Sequence, residues 1–431
     1  MGKKKIMTVR TAIALGVGSM VGAGIFALLG EAAALAGSAV WVSFLMAGII
    51  ALLTAYSFVQ MGMRFPSRGG IVEYLVQAYG MGLFSGASSV LYYIAQLIGM
   101  SMIALAFGKY MVELLGVKND IVLYERVFGS GLVVGLASLQ LVGSRLIRAI
   151  QKIIVIGNLI LLSAVAIGLS TFAEPARLSV ETWPAAPPLL GSLALTFFAF
   201  TGFAVIGNSV EDMKNPAKDL PRAMFGTVFI VIVLYLGLAI ATTAAVSHEQ
   251  LVSSGPMLLI EAAKTAFGEV GYTVLLVSAL VATVTCINGG LYGMTSITFA
   301  LAEKGQLPSR LSREVRASTR GLTFSAAAAL VMINTMDLTT VASLGSATTL
   351  VIYFLVNLGA FRLIRDNALS RFVILLSVLA CLFAVLVWLF YTLKYAPASL
   401  GIFAGFIVLA LGAEVLMQRV QGRRIRAQHQ Q

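Results

Sequence analysis

The sequence predicts an all-α integral membrane protein with twelve transmembrane helices, and three observations carry this prediction. Of the 431 residues, 59% are hydrophobic and only 11% are charged, whereas soluble domains carry about 25% charged residues. The mean hydropathy is +0.94. The lysines and arginines fall mainly on alternate segments between apolar runs, which is the pattern of a chain that crosses a bilayer repeatedly.

The twelve spans follow from the apolar runs. A span needs about 20 mostly apolar residues, and charged or Pro/Gly-rich stretches separate twelve such runs in the chain. These lie at residues 11–36, 39–62, 83–116, 123–144, 150–172, 189–210, 223–247, 270–302, 321–337, 340–363, 371–393 and 397–418.

The positive charges orient these spans. With the N-terminus placed in the cytoplasm, 24 of the 30 lysines and arginines fall on the cytoplasmic side. One miscounted span would reverse this bias in every later loop, so the split predicts that both termini are cytoplasmic. We therefore expect a multi-pass protein of the cytoplasmic (inner) membrane, whose net charge of +12 meets anionic lipid rather than nucleic acid.

The rare reactive residues exclude several kinds of site. The two cysteines, Cys286 and Cys381, lie in apolar runs, and the histidines are His248 and His429. This gives no spacing typical of a disulfide framework or a metal site, and no cofactor is expected. No acid–base or nucleophile cluster indicates an enzyme, no repeated pore motif indicates a channel, and no nucleotide-binding motif indicates an ATP-driven pump.

Glycine-rich interruptions occur in the first and sixth spans. Residues 16–24 contain four glycines, each of which costs a helix interior about 1 kcal/mol relative to alanine, and residues 198–208 contain Gly202 and Gly207. Close helix packing through Gly18 and Gly22 would explain the first interruption alone. Interrupted helices at matching positions of two halves instead indicate a transporter binding site at mid-membrane.

The spacing of the two interruptions also predicts a domain organisation. They lie five spans apart, and an odd number of spans per half makes the two repeats inverted. We predict a cytoplasmic tail at 1–10, a first five-helix repeat at 11–172, a second at 189–363, helices 11 and 12 at 371–418, and a basic tail at 419–431.

An interrupted helix favours a zwitterion as ligand. Free N–H groups at the start of one half-helix attract a carboxylate, and free carbonyls at the end of the other attract an ammonium or a cation. An amino acid can meet both without any charged side chain.

At these residues the chain resembles the amino acid–polyamine–organocation superfamily. The similarity covers about residues 8–365, and the strongest motif is Glu211–Ala223. The remaining motifs are Gly18–Phe26, Phe65–Gly70 with Tyr74 and Gly80, Phe197–Gly202, and Ala302–Pro308. The resemblance implies a core of ten helices in inverted repeats plus two C-terminal helices, and the activity of a prokaryotic amino acid permease.

The resemblance also implies site residues. The substrate carboxylate would meet the N–H groups of Ala23 and Gly24, and the ammonium would meet the carbonyls of Met20, Phe198 and Thr201. Phe198 and Phe200 would form an aromatic gate. The predicted binding set is Met20, Gly22, Ala23, Gly24, Ile25, Phe198, Phe200, Thr201, Gly202 and Tyr93, with Tyr92 and Gln96 as further cavity residues.

Departures from the family pattern bear on substrate and coupling. Ala204 stands where some relatives selective for basic substrates have a carboxylate, which favours a neutral, small or medium apolar L-amino acid. Asn158 stands where several proton-coupled relatives have lysine, and asparagine does not titrate. Na⁺ bound near Thr283 and Thr285, coupling to H⁺ by another group, and exchange without an ion all stay open.

Secondary amino acid transport by alternating access is therefore the predicted function. An amino acid exchanger and a cationic amino acid or polyamine permease are the alternatives, and a sensor or partner subunit without transport activity is a third. The oligomeric state cannot be read from the sequence.

Overall fold

A computed structural model describes residues 7–22, 24–67, 69–142, 145–307 and 317–420. The described chain is almost entirely helical. Its helices are α1 (Val9–Val21), α2 (Ile25–Ala36), α3 (Val40–Arg64), α4 (Ile71–Tyr79), α5 (Leu83–Leu115), α6 (Ile121–Val142), α7 (Arg145–Ser170), α8 (Ala186–Phe200), α9 (Ala204–Gly207), α10 (Pro216–Ala245), α11 (His248–Ser253), α12 (Leu258–Glu303), α13 (Ala317–Thr335), α14 (Leu338–Leu363), α15 (Ala368–Tyr395) and α16 (Pro397–Val420).

The helices confirm an all-α membrane protein. Within the described residues, ten helical stretches are long and apolar enough to cross a membrane, and Val9–Val21 and Gly321–Thr335 are shorter apolar helices. Each of the twelve predicted spans overlaps one helix or one pair of consecutive helices. The count of twelve crossings and the inverted repeat stay predictions.

Local sequence explains where several helices begin and bend. The Thr8 hydroxyl accepts a hydrogen bond from the Thr11 N–H at 3.3 Å at the start of α1, as an N-cap residue does. Pro216 is the first residue of α10, and Asp219 accepts from the Asn215 N–H at 2.9 Å. Gly268 interrupts α12 with a φ of +62°, a value that favours glycine, and the predicted eighth span begins just after it.

The first and sixth spans lie at the centre of the bundle. α1 packs against α10 and α12, and α8 packs against α2, α3 and α14. Phe58, Phe197, Phe203 and Tyr353 form a fully buried aromatic cluster beside the end of α8, with Phe58 and Tyr353 ring centres 4.9 Å apart. This packing fixes the interrupted segments within protein, as irregular backbone at membrane depth requires.

Candidate functional site

The first span is interrupted between two helices, although Gly22 and Gly24 both keep right-handed backbone angles. α1 ends at Val21 and α2 begins at Ile25, with Gly22 and Gly24 between them. Ala23, which was predicted to bind the substrate carboxylate, lies outside the described residues. A Cβ on Gly22 would overlap the carbonyl oxygen of Ala282 in α12, so this glycine also allows a close helix contact. The break and the packing explanation therefore both apply to this segment.

The interruption of the sixth span has a different geometry. Residues Thr201–Phe203 form one turn of 3₁₀-helix between α8 and α9, and they keep right-handed helical angles. The Thr201 hydroxyl donates to the Phe198 carbonyl at 2.8 Å. The chain is therefore tightened here rather than unwound, and a 3₁₀ turn within a helix is a common mark of a hinge.

The two interruptions touch each other. A Cβ on Gly202 would lie 2.8 Å from the carbonyl carbon of Ser19 and 2.9 Å from the amide nitrogen of Met20. Glycine at position 202 thus lets the 3₁₀ turn rest directly on the end of α1. A ligand at this contact would meet backbone from both halves of the chain.

Two buried tyrosines bind the backbone carbonyls at these interruptions. The Tyr235 hydroxyl of α10 donates to the Met20 carbonyl at 2.8 Å, and the Tyr353 hydroxyl of α14 donates to the Thr201 carbonyl at 2.7 Å. The Met20 carbonyl also accepts the Gly24 N–H at 2.7 Å. In this conformation the carbonyls predicted for the ammonium already have donors, so a bound ammonium would share or displace them.

A cavity opens beside the contact between the interruptions. Its walls come from α5, the segment from α8 to α9, α12 and Ser19 of α1, and the 21 described residues that line it carry no charged side chain. The lining residues are Ser19, Tyr92, Ala95, Gln96, Gly99, Met100, Ile103, Phe198, Ala199, Thr201, Gly202, Ala204, Val205, Asn208, Cys286, Ile287, Gly289, Gly290, Gly293, Met294 and Ile297.

Some of the predicted binding residues line this cavity. They are Phe198, Thr201 and Gly202, together with Tyr92 and Gln96. The ring of Phe198 reaches α5 and α14, since its Cζ would lie 3.3 Å from a Cβ on Gly99 and 3.1 Å from one on Gly345. Met20, Gly22, Gly24 and Ile25 lie instead at the break, outside the lining.

Two aromatic residues of the predicted binding set pack against other side chains instead of lining the cavity. Phe200 is fully buried, and its ring centre lies 5.1 Å from that of Tyr235 and 6.4 Å from that of Phe44. The Tyr93 hydroxyl lies 2.8 Å from that of Ser325 in α13, and its ring stacks on Phe324. Of the adjacent pair in α5, Tyr92 rather than Tyr93 contacts the cavity.

Comparison with known proteins identifies the family of the chain. The family described as "Amino acid permease" matches residues 7–412. The chain belongs to this family. It is 29% identical to the inner membrane transport protein YbaT of Escherichia coli over 94% of this chain and 95% of that protein. It is 28% identical to the serine/threonine exchanger SteT of Bacillus subtilis over 77% of each chain.

A third relative is named for a different substrate. The branched-chain amino acid permease BcaP of Bacillus subtilis is 24% identical over 69% of this chain and 67% of that protein. The relatives confirm the predicted superfamily, amino acid transport and a multi-pass membrane location, and their names support the prediction that the chain is not an enzyme.

Two of the three predicted coupling residues of the permease lie on a smaller cavity between α1, α7 and α12. Thr285 and Asn158 line it with Gly18, Val21 and Gly22, whereas Thr283 is not among its described lining residues. The Thr285 hydroxyl donates to the Val281 carbonyl at 2.8 Å, and the Thr283 hydroxyl donates to the Leu280 carbonyl at 2.8 Å. The Ser278 hydroxyl donates to the Asn158 amide oxygen at 2.7 Å. Both threonines thus bond to their own helix.

The sequence analysis missed Tyr235, Tyr353, Asn208 and Cys286. Tyr235 and Tyr353 are fully buried, so neither side chain is exposed to lipid or to the cavity. A buried tyrosine hydroxyl in an apolar span needs an acceptor, and the carbonyls of an interrupted helix are such acceptors. Cys286 donates to the Ser19 carbonyl at 3.3 Å on the cavity wall.

An ion pair lies near the end of the bundle where α1 begins. The Lys304 ammonium, just after α12, lies 2.7 Å from the Glu73 carboxylate of α4, to which Gln77 also donates at 2.7 Å. Burial acts to raise the pKa of Glu73, but the hydrogen bonds from Lys304 and Gln77 and the charge of Lys304 outweigh it and hold the pKa below its usual range. The pair therefore links α4 to α12 at neutral pH.

Proposed function

We propose that the permease is a secondary transporter of neutral L-amino acids. The observation that carries the proposal is the uncharged lining of the cavity beside the interrupted spans. A substrate with a charged side chain would lose water without gaining a counter-charge, and an unpaired buried charge is strongly unfavourable. Ala204 lies on this cavity wall and supplies no such counter-charge.

The substrate zwitterion would sit where the interruptions meet. Ser19, Thr201 and Gly202 line the cavity there, and α1 and α8 both end close to this contact. The Gly24 N–H and the carbonyls of Met20, Phe198 and Thr201 remain the proposed partners of the two charged ends. The tyrosine hydroxyls of Tyr235 and Tyr353 would exchange partners when the substrate enters.

The direction in which the cavity extends bears on alternating access. Along α8 and α9 the lining runs from Phe198 to Asn208, and along α12 it runs from Cys286 to Ile297. Both directions lead toward the end of the bundle where α1 begins, which is the predicted cytoplasmic end. The ring of Phe198 and its contacts with α5 and α14 support closure toward the opposite side.

A thermal-shift screen of the purified permease tests the proposed substrate class. A ligand that binds only the folded state raises the apparent melting temperature. Alanine, serine, threonine, valine and leucine should include stabilising ligands, whereas arginine, lysine and putrescine should give no shift. Stabilisation by the basic compounds alone would contradict the proposal.

The proposed coupling follows from the neutral Asn158. Two modes agree with a residue that does not titrate: Na⁺ coupling at the small cavity near Thr285, and exchange of internal for external amino acid. Uptake into proteoliposomes should respond to a Na⁺ gradient or to internal amino acid, each imposed alone. Concentrative uptake driven by a pH gradient alone would identify a proton carrier elsewhere in the chain.

We also propose that both termini face the cytoplasm, as the charge distribution predicts. A reporter that is active only outside the cytoplasm should give no signal when it is fused after residue 431. The same reporter fused between α11 and α12, near Gly255, should be active. A strong signal from the C-terminal fusion would overturn the predicted count of spans.

A further inference from the structure

Three polar side chains on the cavity wall have no hydrogen-bond partner among the described residues. They are Tyr92 and Gln96 of α5 and Asn208, which follows α9. The amide oxygen of Asn208 is buried, lies against Gly70 and makes no hydrogen bond. The other polar residues of the wall differ, since Thr201 donates to Phe198 and Ser19 donates to Leu15.

These residues occupy two facing walls. Tyr92 and Gln96 are four residues apart in one helix, so their side chains lie one above the other on the same face. Asn208 lies on the wall formed by α8 and α9, with its amide oxygen against Gly70. Farther along α5, at Met100 and Ile103, the wall is apolar, so the unpartnered groups are confined to one part of the cavity.

An unpartnered amide on such a wall favours particular ligands. A polar group that loses water without gaining a hydrogen bond carries a free-energy penalty. The Asn208 amide oxygen already carries this penalty. An apolar side chain placed beside Gln96 would impose it on a second amide, whereas a hydroxyl or amide would avoid it. Sites that present polar groups to a substrate discriminate strongly against analogues that lack the matching group.

We propose that Gln96 and Asn208 form a subsite for the substrate side chain, which selects neutral amino acids carrying a hydroxyl or amide over apolar amino acids of the same shape. The inference rests on the proposed function and narrows it. It departs from the apolar preference predicted from the sequence, because the sequence did not show that these two amides lie on the cavity wall without partners.

Isosteric amino acids test the subsite. Threonine against valine, and asparagine against leucine, differ mainly in hydrogen-bonding groups. Their dissociation constants for the purified permease are measured by ligand-dependent thermal stabilisation. Each hydrogen bond should favour threonine over valine, or asparagine over leucine, by about 3- to 10-fold. The wild-type ratios need no variant, so the test stands even where a variant fails to fold.

Two variants assign the preference to its residues. Gln96→Met and Asn208→Leu keep approximate size and remove the amide. Each should reduce the threonine-to-valine and asparagine-to-leucine preferences several-fold while valine and leucine bind as well as before or better. Leu114→Met, near the far end of the same helix and outside the cavity lining, is the matched control and should leave the ratios unchanged.

The binding data distinguish a wrong subsite from a wrong substrate class. If valine and leucine bind as well as their hydrogen-bonding isosteres in the wild type, or if the preference survives in both variants, the subsite is wrong while the neutral-substrate proposal stands. If none of the four amino acids binds and a basic compound does, the proposed function itself fails.

Discussion

The contact between Gly24 and Tyr235 gives the sharpest test of the substrate site. A Cβ on Gly24 would overlap the Tyr235 hydroxyl oxygen and lie 2.8 Å from both its Cζ and the Met20 carbonyl oxygen. Tyr235 is fully buried, and its hydroxyl is held by the Met20 carbonyl. Gly24→Ala should therefore push the tyrosine away from the break in the first span. Because Gly24 has a φ of −80°, this effect is steric.

The close packing around Gly24 determines how much substrate affinity the Gly24→Ala variant should lose. Overpacking a closely packed interior costs about 1–3 kcal/mol, which corresponds to about a 5- to 150-fold weaker affinity if the strain falls on the bound state. Tyr235→Phe removes the overlapping oxygen and one hydrogen bond, a loss of about 0.5–1.5 kcal/mol. The double variant should bind better than the sum of the single effects predicts, although the ring carbon still limits the rescue.

Substrate affinity and melting temperature are measured together for the four proteins of this double-mutant cycle. Gly237→Ala is the matched control, because it lies on the same helix as Tyr235 with open space around its Cβ position. It should leave affinity unchanged. Normal affinity in a folded Gly24→Ala protein, or strictly additive effects in the double variant, would refute a substrate site at this break.

Three further predictions concern other contacts. Tyr353→Phe removes the donor to the Thr201 carbonyl and should weaken substrate binding about 2- to 10-fold; unchanged affinity and transport rate would show that this bond is only structural. Asn158→Lys introduces an amine that can gain and release a proton, so transport should become pH-dependent, whereas Asn158→Gln should not have this effect. The lowered pKa of Glu73 implies a stabilising ion pair that is intact at neutral pH and lost as the pH falls through that pKa. Glu73→Gln should therefore melt at a lower temperature at pH 7 and lose less further stability than the wild type between about pH 5 and pH 3; parallel melting curves would contradict this.

Hydropathy and charge were sufficient to place the helices because the bilayer imposes a strong and simple constraint. Each span must be apolar for about 20 residues, and each predicted run overlaps helical structure. The glycine cluster likewise located the break between Val21 and Ile25. The sixth span shows the limit of this reasoning, since Gly202 and its neighbours tighten into a 3₁₀ turn instead of unwinding.

The orientation of side chains within a buried helix could not be predicted from the sequence. α5 is buried on nearly all sides, so hydrophobic periodicity does not show which face meets the cavity. Tyr92 and Tyr93 are adjacent, and only the packing of α13 against α5 decides that Tyr93 turns to Ser325. The bonds from Tyr235 and Tyr353 to distant carbonyls depend on tertiary contacts in the same way.

Neutral amino acids are proposed to cross the membrane through the uncharged cavity. The most direct measurement is uptake of radiolabelled threonine into proteoliposomes loaded with unlabelled threonine, with other amino acids added outside as competitors. Saturable uptake that serine, alanine or leucine inhibits, and that arginine and putrescine do not, is the predicted result. Saturable uptake of arginine or putrescine that neutral amino acids fail to inhibit would contradict the claim.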